Sequence, residues 1–563
     1  MHLALQRWRT SPGYELSQSP WKRHSQTRKR SDSRGLTERD EAMEETEGAD
    51  DFAMKGKWVK KPKWHPVLLM ASKKTLSAVD YVLFFGSLLL TLLVGMYQAW
   101  KGRRDSAEEM LVASKGLSLP PVVLSLAATY LSAIVLLGTP AEIYANGSEW
   151  WMQIVGYTVG TVLATLVFVP VLHPPKFASL YTYLEMRFES KLMRWTGTLL
   201  YILGTTLYMG LGLYAPVIAV SSVTDFPEWI GIAVCGGLCT VYTAIGGLKA
   251  VVWTDAIQIF LMLAGILAVI IYGVVDVGGF QQVWNIAQEY NRTEFFNTSL
   301  SPFERHSFWW IFLSITCTWF TVNGPTQSAM QRYNSVPTMR KAQLSVLLVI
   351  PIGVGIISLS CFSGLVAFAS YKGCDPLKAG LIKKKDEIIP YFVMDKLGHL
   401  VGLPGVFLAC LFAGALSTIS SGMNSVAAVI LESVQQTSFG KHLSPKQTAT
   451  YTKLIATGSG LVTIALAFAV GILGAGLMQM VVTITAVTSG PTLALFLTAV
   501  LFPFVNKHGA FVGVIASLAT TSWLGFGAYI VGVPGPIPLD SSVDACNFNV
   551  TPSPTSLPPD IDE

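Results

Sequence analysis

Residues 414–425 read GALSTISSGMNS, inside a run otherwise apolar enough to cross a membrane. Ser417, Thr418, Ser420, Ser421 and Asn424 put five polar side chains within eight residues, beside Gly414 and Gly422. An isolated hydroxyl in a membrane helix bonds back to the carbonyl one turn earlier or joins two helices. That accounts for one or two of the five. On a helix, positions 414, 417, 418, 421 and 425 share a face. Gly414 leaves its carbonyl approachable, and Ser417 and Thr418 add hydroxyl oxygens on the same side. About five or six neutral oxygens suit Na⁺, a hard cation that must be released in every cycle. No carboxylate is expected at this depth, which argues against Ca²⁺ and disfavours a pure proton relay.

Further oxygens must come from another helix. The stretch SLAATYLSAIVLLGTPAEIYANG (125–147) carries Gly138 and Pro140, and ITCTWFTVNGPTQSAMQRY (315–333) carries Gly324 and Pro325. A proline kink explains either one alone. The two segments lie five spans apart and so enter the bilayer from opposite sides. Paired interruptions of this kind point to an inverted-repeat secondary transporter. An unwound turn at midplane frees carbonyls and N–H groups for an ion or polar solute. Ala128 and Leu131 flank the small-residue centre of the first segment, so their carbonyls are the expected partners of the 414–418 face.

The chain that positions these helices has 563 residues, 51% hydrophobic and only 13% charged, against about 25% charged in soluble proteins. It reads as all-α and polytopic, with twelve spans at 78–99, 118–145, 150–173, 194–221, 227–245, 251–276, 307–330, 343–370, 404–432, 451–474, 476–504 and 509–532. No phosphate-loop or HExxH motif is present, which argues against an ATP-driven pump or a zinc protease. Residues 1–77 hold a basic run, KRHSQTRKR, and an acidic one, ERDEAMEETEGADD. They read as a disordered polar extension rather than a nucleic-acid-binding arm or a signal peptide.

The basic connectors KGRRDSAEEM, QRYNSVPTMRK and FGKHLSPKQT become cytoplasmic if the first span runs from outside to inside. The same choice puts the Asn-x-Ser/Thr acceptors Asn291, Asn297 and Asn549 outside, with the N terminus extracellular. The basic N-terminal run and KKKDE at 383–387 run against it, but long segments obey the charge rule weakly. The Pro/Ser-rich end, 533–563, reads as an extracellular tail or an outer loop leading to one further span. Of the seven cysteines, Cys374 and Cys546 fall in outer connectors, which leaves a disulfide between them open.

GALSTISSGMNS, GGLKAVVWTDAIQ (246–258) and QRY (331–333) resemble the sodium:solute symporter family. Within it, LYMGLGLYAPVIAV and the 392–421 region resemble the branch of the sodium-dependent multivitamin, sodium-coupled monocarboxylate and sodium–iodide transporters. The resemblance covers about 78–532. It implies a leucine-transporter-like core of two inverted five-helix repeats, about 118–504. By matching position it puts a sodium site on the carbonyls of Ala128, Leu131 and Gly414 and the hydroxyls of Ser417 and Thr418. It puts a substrate cavity at Tyr130, Ser132, Val135, Trp319 and Asn323. The iodide and bacterial-type sugar transporters have Gln where this chain has Val135, so the resemblance implies an organic anion with a hydrocarbon body.

Asp255, with Lys249 nearby, is expected at the inner vestibule, where it either guides released Na⁺ or pins a helix end. Arg332 is expected at the cytoplasmic surface as a topology anchor. Glu142 is expected to pair with backbone freed by the Gly138/Pro140 break. The expected protein is therefore no enzyme and needs no organic cofactor. It is a plasma-membrane symporter using Na⁺ to import small organic anions, either monocarboxylates or vitamins such as biotin, pantothenate and lipoate. Iodide or sugar symport, an ion channel and a non-transporting solute sensor are the alternatives.

Overall fold

Ser77 opens the first helix through a capping box, with Asp80 accepting from the Ser77 backbone N–H while the Ser77 hydroxyl accepts from Asp80 N. Helix α1 then runs Ala78–Lys101. The structure, a computed structural model, describes residues 75–102, 117–174, 177–224, 226–301, 304–438, 440–473, 476–531 and 538–546. The chain divides into units 1–69 and 70–563, and all described residues belong to the second. The expected extension before residue 75, the tail beyond 546 and Asn549 lie outside the described residues.

The second span is broken. Helix α2 (Leu119–Tyr130) and helix α3 (Ala133–Asn146) meet at 53°. The interruption falls at Leu131–Ser132, not at Gly138 and Pro140 as expected: α3 runs straight through both. Pro140 removes one N–H from the ladder, yet α3 continues through it to Asn146. Ser132 instead takes the extended geometry of an N-cap (φ −82°, ψ 168°), which starts a new helix at Ala133.

Helices α4 (Gln153–Val167) and α5 (Lys191–Ser221) follow, then α6, a continuous stretch from Glu228 to Val277. Fifty residues would be about 75 Å long, more than twice the hydrocarbon thickness. Gly247 breaks it at φ 60°, ψ −161°, a conformation only glycine takes readily. Helix α7 (Phe308–Asn323) ends at Gly324 and Pro325, and α8 (Gln327–Asn334) starts after them, so the second expected interruption is where the sequence puts it. Then come α9 (Met339–Leu347), α10 (Val349–Ser370), α11 (Leu403–Gln435), α12 (Pro445–Leu473), α13 (Leu477–Leu501) and α14 (Lys507–Val531).

Contacts with α11 show that α6 is a hairpin. Cys239 and Tyr242 both meet the Leu416 carbonyl. Beyond Gly247, Asp255 meets Ser421 and the Met262 carbonyl meets Cys410. Both arms of α6 therefore lie along one stretch of α11. Among the described residues nine helices are long and apolar enough to span, or ten with the bent α2–α3 pair; dividing α6 at Gly247 and taking α7 with α8 as one further span reaches the expected twelve. Helix α11 is the hub, with 89% of its most apolar window buried.

Candidate functional site

Leu131 (φ −92°, ψ 76°) and the extended Ser132 take the last carbonyls of α2 out of the helical ladder. Val135 N–H, the ordinary partner of the Leu131 carbonyl, turns to the Ser132 carbonyl instead, at 3.0 Å. A helix end inside a bilayer leaves carbonyls in need of a partner. Facing them, the Thr418 hydroxyl lies 3.2 Å from both the Thr129 and the Gly414 carbonyl oxygens. Gly414 makes this approach possible, because a Cβ there would sit 2.8 Å from Ala133 N. Of the expected ion ligands, Gly414 and Thr418 are thus brought together with Thr129. Ala128, Leu131 and Ser417 are buried alongside.

Ser417 is fully buried and its hydroxyl has no hydrogen-bond partner. It faces Asp255, so a carboxylate carried by α6 does sit at the depth of this cluster, contrary to expectation; Asp255 Oδ1 is unpartnered, as are both amide atoms of the fully buried Gln258 one turn along α6. Three orphaned oxygens here contrast with the rest of the 414–425 cluster. Ser420 bonds to the Ser417 carbonyl, Asn424 to Gln331, and Ser425 to Tyr201 and the Gly422 carbonyl. Asn424 and Ser425 thus join helices, whereas Ser420 bonds back within α11.

Arg332 is not at the surface. It is 0% exposed and ion-pairs with the equally buried Asp255 at 3.1 Å. The break before α8 turns its helix back into the bundle, where Arg332 also donates to Ser125 Oγ at 2.8 Å, to the Ser328 carbonyl at 2.9 Å and to Ser421 Oγ. Ser125 donates to the same carboxylate oxygen at 2.6 Å. Asp255 is therefore the centre of a network joining α2, α6, α8 and α11, rather than a helix-end pin. A buried carboxylate in an apolar span requires such a partner. That signal would have pointed to the QRY arginine.

Beside Thr129 and Thr418 lies a cavity of about 250 Å³. Tyr130, Val135 and Trp319 line it, as expected. Ser132 and Asn323 do not: Ser132 is wholly buried against the Tyr208 hydroxyl, and Asn323 bonds to Thr161 behind the wall. Sequence reasoning missed the walls from α5 and α13, among them Tyr201, Thr205, Tyr208, Thr485, Thr488 and Ser489. No Lys, Arg, His, Asp or Glu is among the lining residues.

At the opposite end from Asp255, Glu142 accepts from Arg305 and Lys385, both at 2.7 Å, and lies 3.2 Å from His306. Its partners are thus cations from remote loops and not freed backbone. Cys374 and Cys546 are joined in a disulfide. The segment 538–546 also bonds through Ser542 to Asp375 N and through Leu539 N to the Ala145 carbonyl, and the Leu539 and Asp540 carbonyls accept from Arg292. These loops, all expected outside, form one surface.

The family model "Sodium:solute symporter family" matches residues 110–517. The chain belongs to the sodium:solute symporter family. Within that family, it is 37% identical to sodium-coupled monocarboxylate transporter 2 of Bos taurus, over 86% of this chain and 78% of that one. It is 37% identical to sodium-coupled monocarboxylate transporter 1 of Homo sapiens (83% and 77% covered). It is 38% identical to the sodium-dependent multivitamin transporter of Oryctolagus cuniculus (82% and 72%). A solved Na⁺-coupled sialic acid symporter, in a substrate-bound outward-open state, shares the fold at TM-score 0.69 and 21% identity, covering 82% of this chain and 99% of that one. This sodium:solute symporter therefore has the leucine-transporter-like, all-helical architecture with its two broken helices.

Proposed function

We propose that this symporter imports small organic anions, monocarboxylates or vitamin acids, across the plasma membrane with Na⁺. The observation that carries the reading is the shared wall. Thr129 and Thr418 belong both to the oxygen-lined α2–α11 junction and to the cavity, so ion and solute are neighbours. Na⁺ would take the carbonyls of Ala128, Leu131 and Gly414 with the hydroxyls of Ser417 and Thr418, and the Thr129 carbonyl is at hand. Asp255 Oδ1, Ser417 and Gln258 offer oxygens for the ion on its way inward. Each ligand then favours the state that the other binds best, and each net charge moved contributes about 2.3 kcal/mol per 100 mV.

The cavity supports an organic anion over iodide or sugar. Val135, Trp319, Val481 and Ile484 give it an apolar body, while hydroxyls and the N-terminal ends of α3 and α8 supply the polar contacts. The relatives named for monocarboxylates and for vitamins are about equally similar, so both acid classes belong to the reading.

The test is uptake of biotin, pantothenate, lactate, nicotinate, iodide and glucose in Na⁺ and in choline. Na⁺-dependent uptake of acids is expected; iodide or glucose alone would overturn it. We place the N terminus outside. A glycan is expected on Asn291, exposed at φ 54°, ahead of Asn297, whose side chain already accepts from Ser299 N. An Asn291→Gln chain that keeps its glycosidase-sensitive mass would contradict this.

A further inference from the structure

We propose that Tyr208 is the side chain that recognises the carboxylate of the transported solute, through a proton it shares with Ser132. This rests on the reading of the cavity as the solute site. A carboxylate there meets no cationic side chain, so hydroxyl donors must do the recognising. Most cavity hydroxyls are committed elsewhere. Thr318, Thr321, Thr326, Thr488 and Thr492 donate to carbonyls of the preceding turn. Tyr130 donates to the Val322 carbonyl at 3.2 Å, and Tyr201 donates to Ser425 Oγ at 2.6 Å, which donates onward to the Gly422 carbonyl.

Tyr208 differs. Its hydroxyl lies 3.2 Å from Ser132 Oγ, and either oxygen can be the donor. Ser132 makes no side-chain cap to its own helix. Two hydroxyls that share one hydrogen bond hold two protons and use one. When Ser132 donates, the Tyr208 proton is free, and Tyr208 stands in the cavity wall whereas Ser132 is fully buried. A phenolic O–H to a carboxylate is a charge-assisted bond, stronger than one between neutral groups. Ser132 also caps α3 directly after Leu131 at the break. A bound acid therefore fixes the hydroxyl pair in one orientation at the junction where the ion is expected.

The experiment measures uptake of the best-transported acid by wild type, Tyr208→Phe, Ser132→Ala and the double variant, each normalised to protein at the cell surface. Tyr208→Phe is expected to raise KM at least about tenfold, with Na⁺ half-saturation changing less than about threefold. Ser132→Ala removes the partner that orients the phenol and should raise KM by less than Tyr208→Phe does; the double variant should be no worse than Tyr208→Phe, and a double variant far worse than either single one overturns the shared-proton pairing. An unchanged KM in Tyr208→Phe overturns the proposal, as does an equal shift in KM and Na⁺ half-saturation, which a merely structural role would give. Should Tyr208→Phe not reach the surface, difluorotyrosine introduced at 208 keeps the ring. KM must then rise as pH passes the lowered phenol pKa, and a flat profile overturns the proposal. Absence of Na⁺-dependent acid uptake in wild type overturns the anion reading itself, an outcome distinct from normal wild-type uptake with an unaffected Tyr208→Phe.

Discussion

Replacing Arg332 by Met should damage this protein more than replacing Asp255 and Arg332 together. Both residues are 0% exposed, and the carboxylate accepts from Arg332, Ser125 and Ser421 through the same Oδ2. Removing the guanidinium leaves a buried anion held by hydroxyls alone, which typically costs about 3–5 kcal/mol. With Asn at 255 the charge is gone as well, and replacing a whole buried pair is often close to neutral. A coupling of at least about 2 kcal/mol between the two positions is therefore expected. The assay is thermal unfolding of detergent-purified wild type, Asp255→Asn, Arg332→Met and the double variant. The double variant should unfold above Arg332→Met. If its loss equals the sum of the two single losses, the pair is not the electrostatic unit described and the reasoning fails. Folded double variant should still show a raised Na⁺ half-saturation, because a neutral amide oxygen holds a cation less well than the carboxylate it replaces.

Three shorter predictions follow from the same geometry. Thr418→Val removes the hydroxyl shared by the Thr129 and Gly414 carbonyls and should raise Na⁺ half-saturation about five- to tenfold, while Thr418→Ser stays near wild type in the same uptake assay. Gly414→Ala forces a Cβ to 2.8 Å from backbone at Ala133, whereas Gly355→Ala meets nothing within 4 Å; surface-normalised uptake should be lost in the first and kept in the second. Cys374→Ser frees the 538–546 segment from one of its ties and should lower unfolding stability by about 2–4 kcal/mol, read as a drop in Tm that reductant reproduces in wild type and does not add to in the variant.

How much of this was legible in the chain depended on the range of the interaction. The spans were, because apolar runs of membrane length need no partner to declare themselves. So was the second break, where Gly324 and Pro325 both disfavour helix. The first break was not. Gly138 and Pro140 carry the same residue types, but α3 continues through them, and the turn that unwinds lies six residues earlier at Leu131–Ser132. A serine N-cap inside a span looks like any other membrane serine. Glu142 and Arg332 were misread for a related reason, since their partners Lys385 and Asp255 lie 243 and 77 residues away.

The hydroxyls of 414–425 show where a residue pattern stops being informative. Asn424 and Ser425 hold helices together through Gln331 and Tyr201, and Ser420 bonds back within its own helix, whereas Ser417, of the same chemistry and three residues from Ser420, turns to the buried Asp255. A helix hydroxyl chooses between gluing and binding according to whether the neighbouring backbone is intact. Opposite an unbroken helix every carbonyl is already taken, and the hydroxyl can only cross-link or bond back. Opposite a broken one, a carbonyl freed from the helical ladder is open to a hydroxyl, as that of Thr129 is to Thr418, or to a cation. The α2–α3 break thus sets Thr418 against the open end of α2, the arrangement that the proposed ion site uses, and the same break sets Ser132 where Tyr208 can reach it.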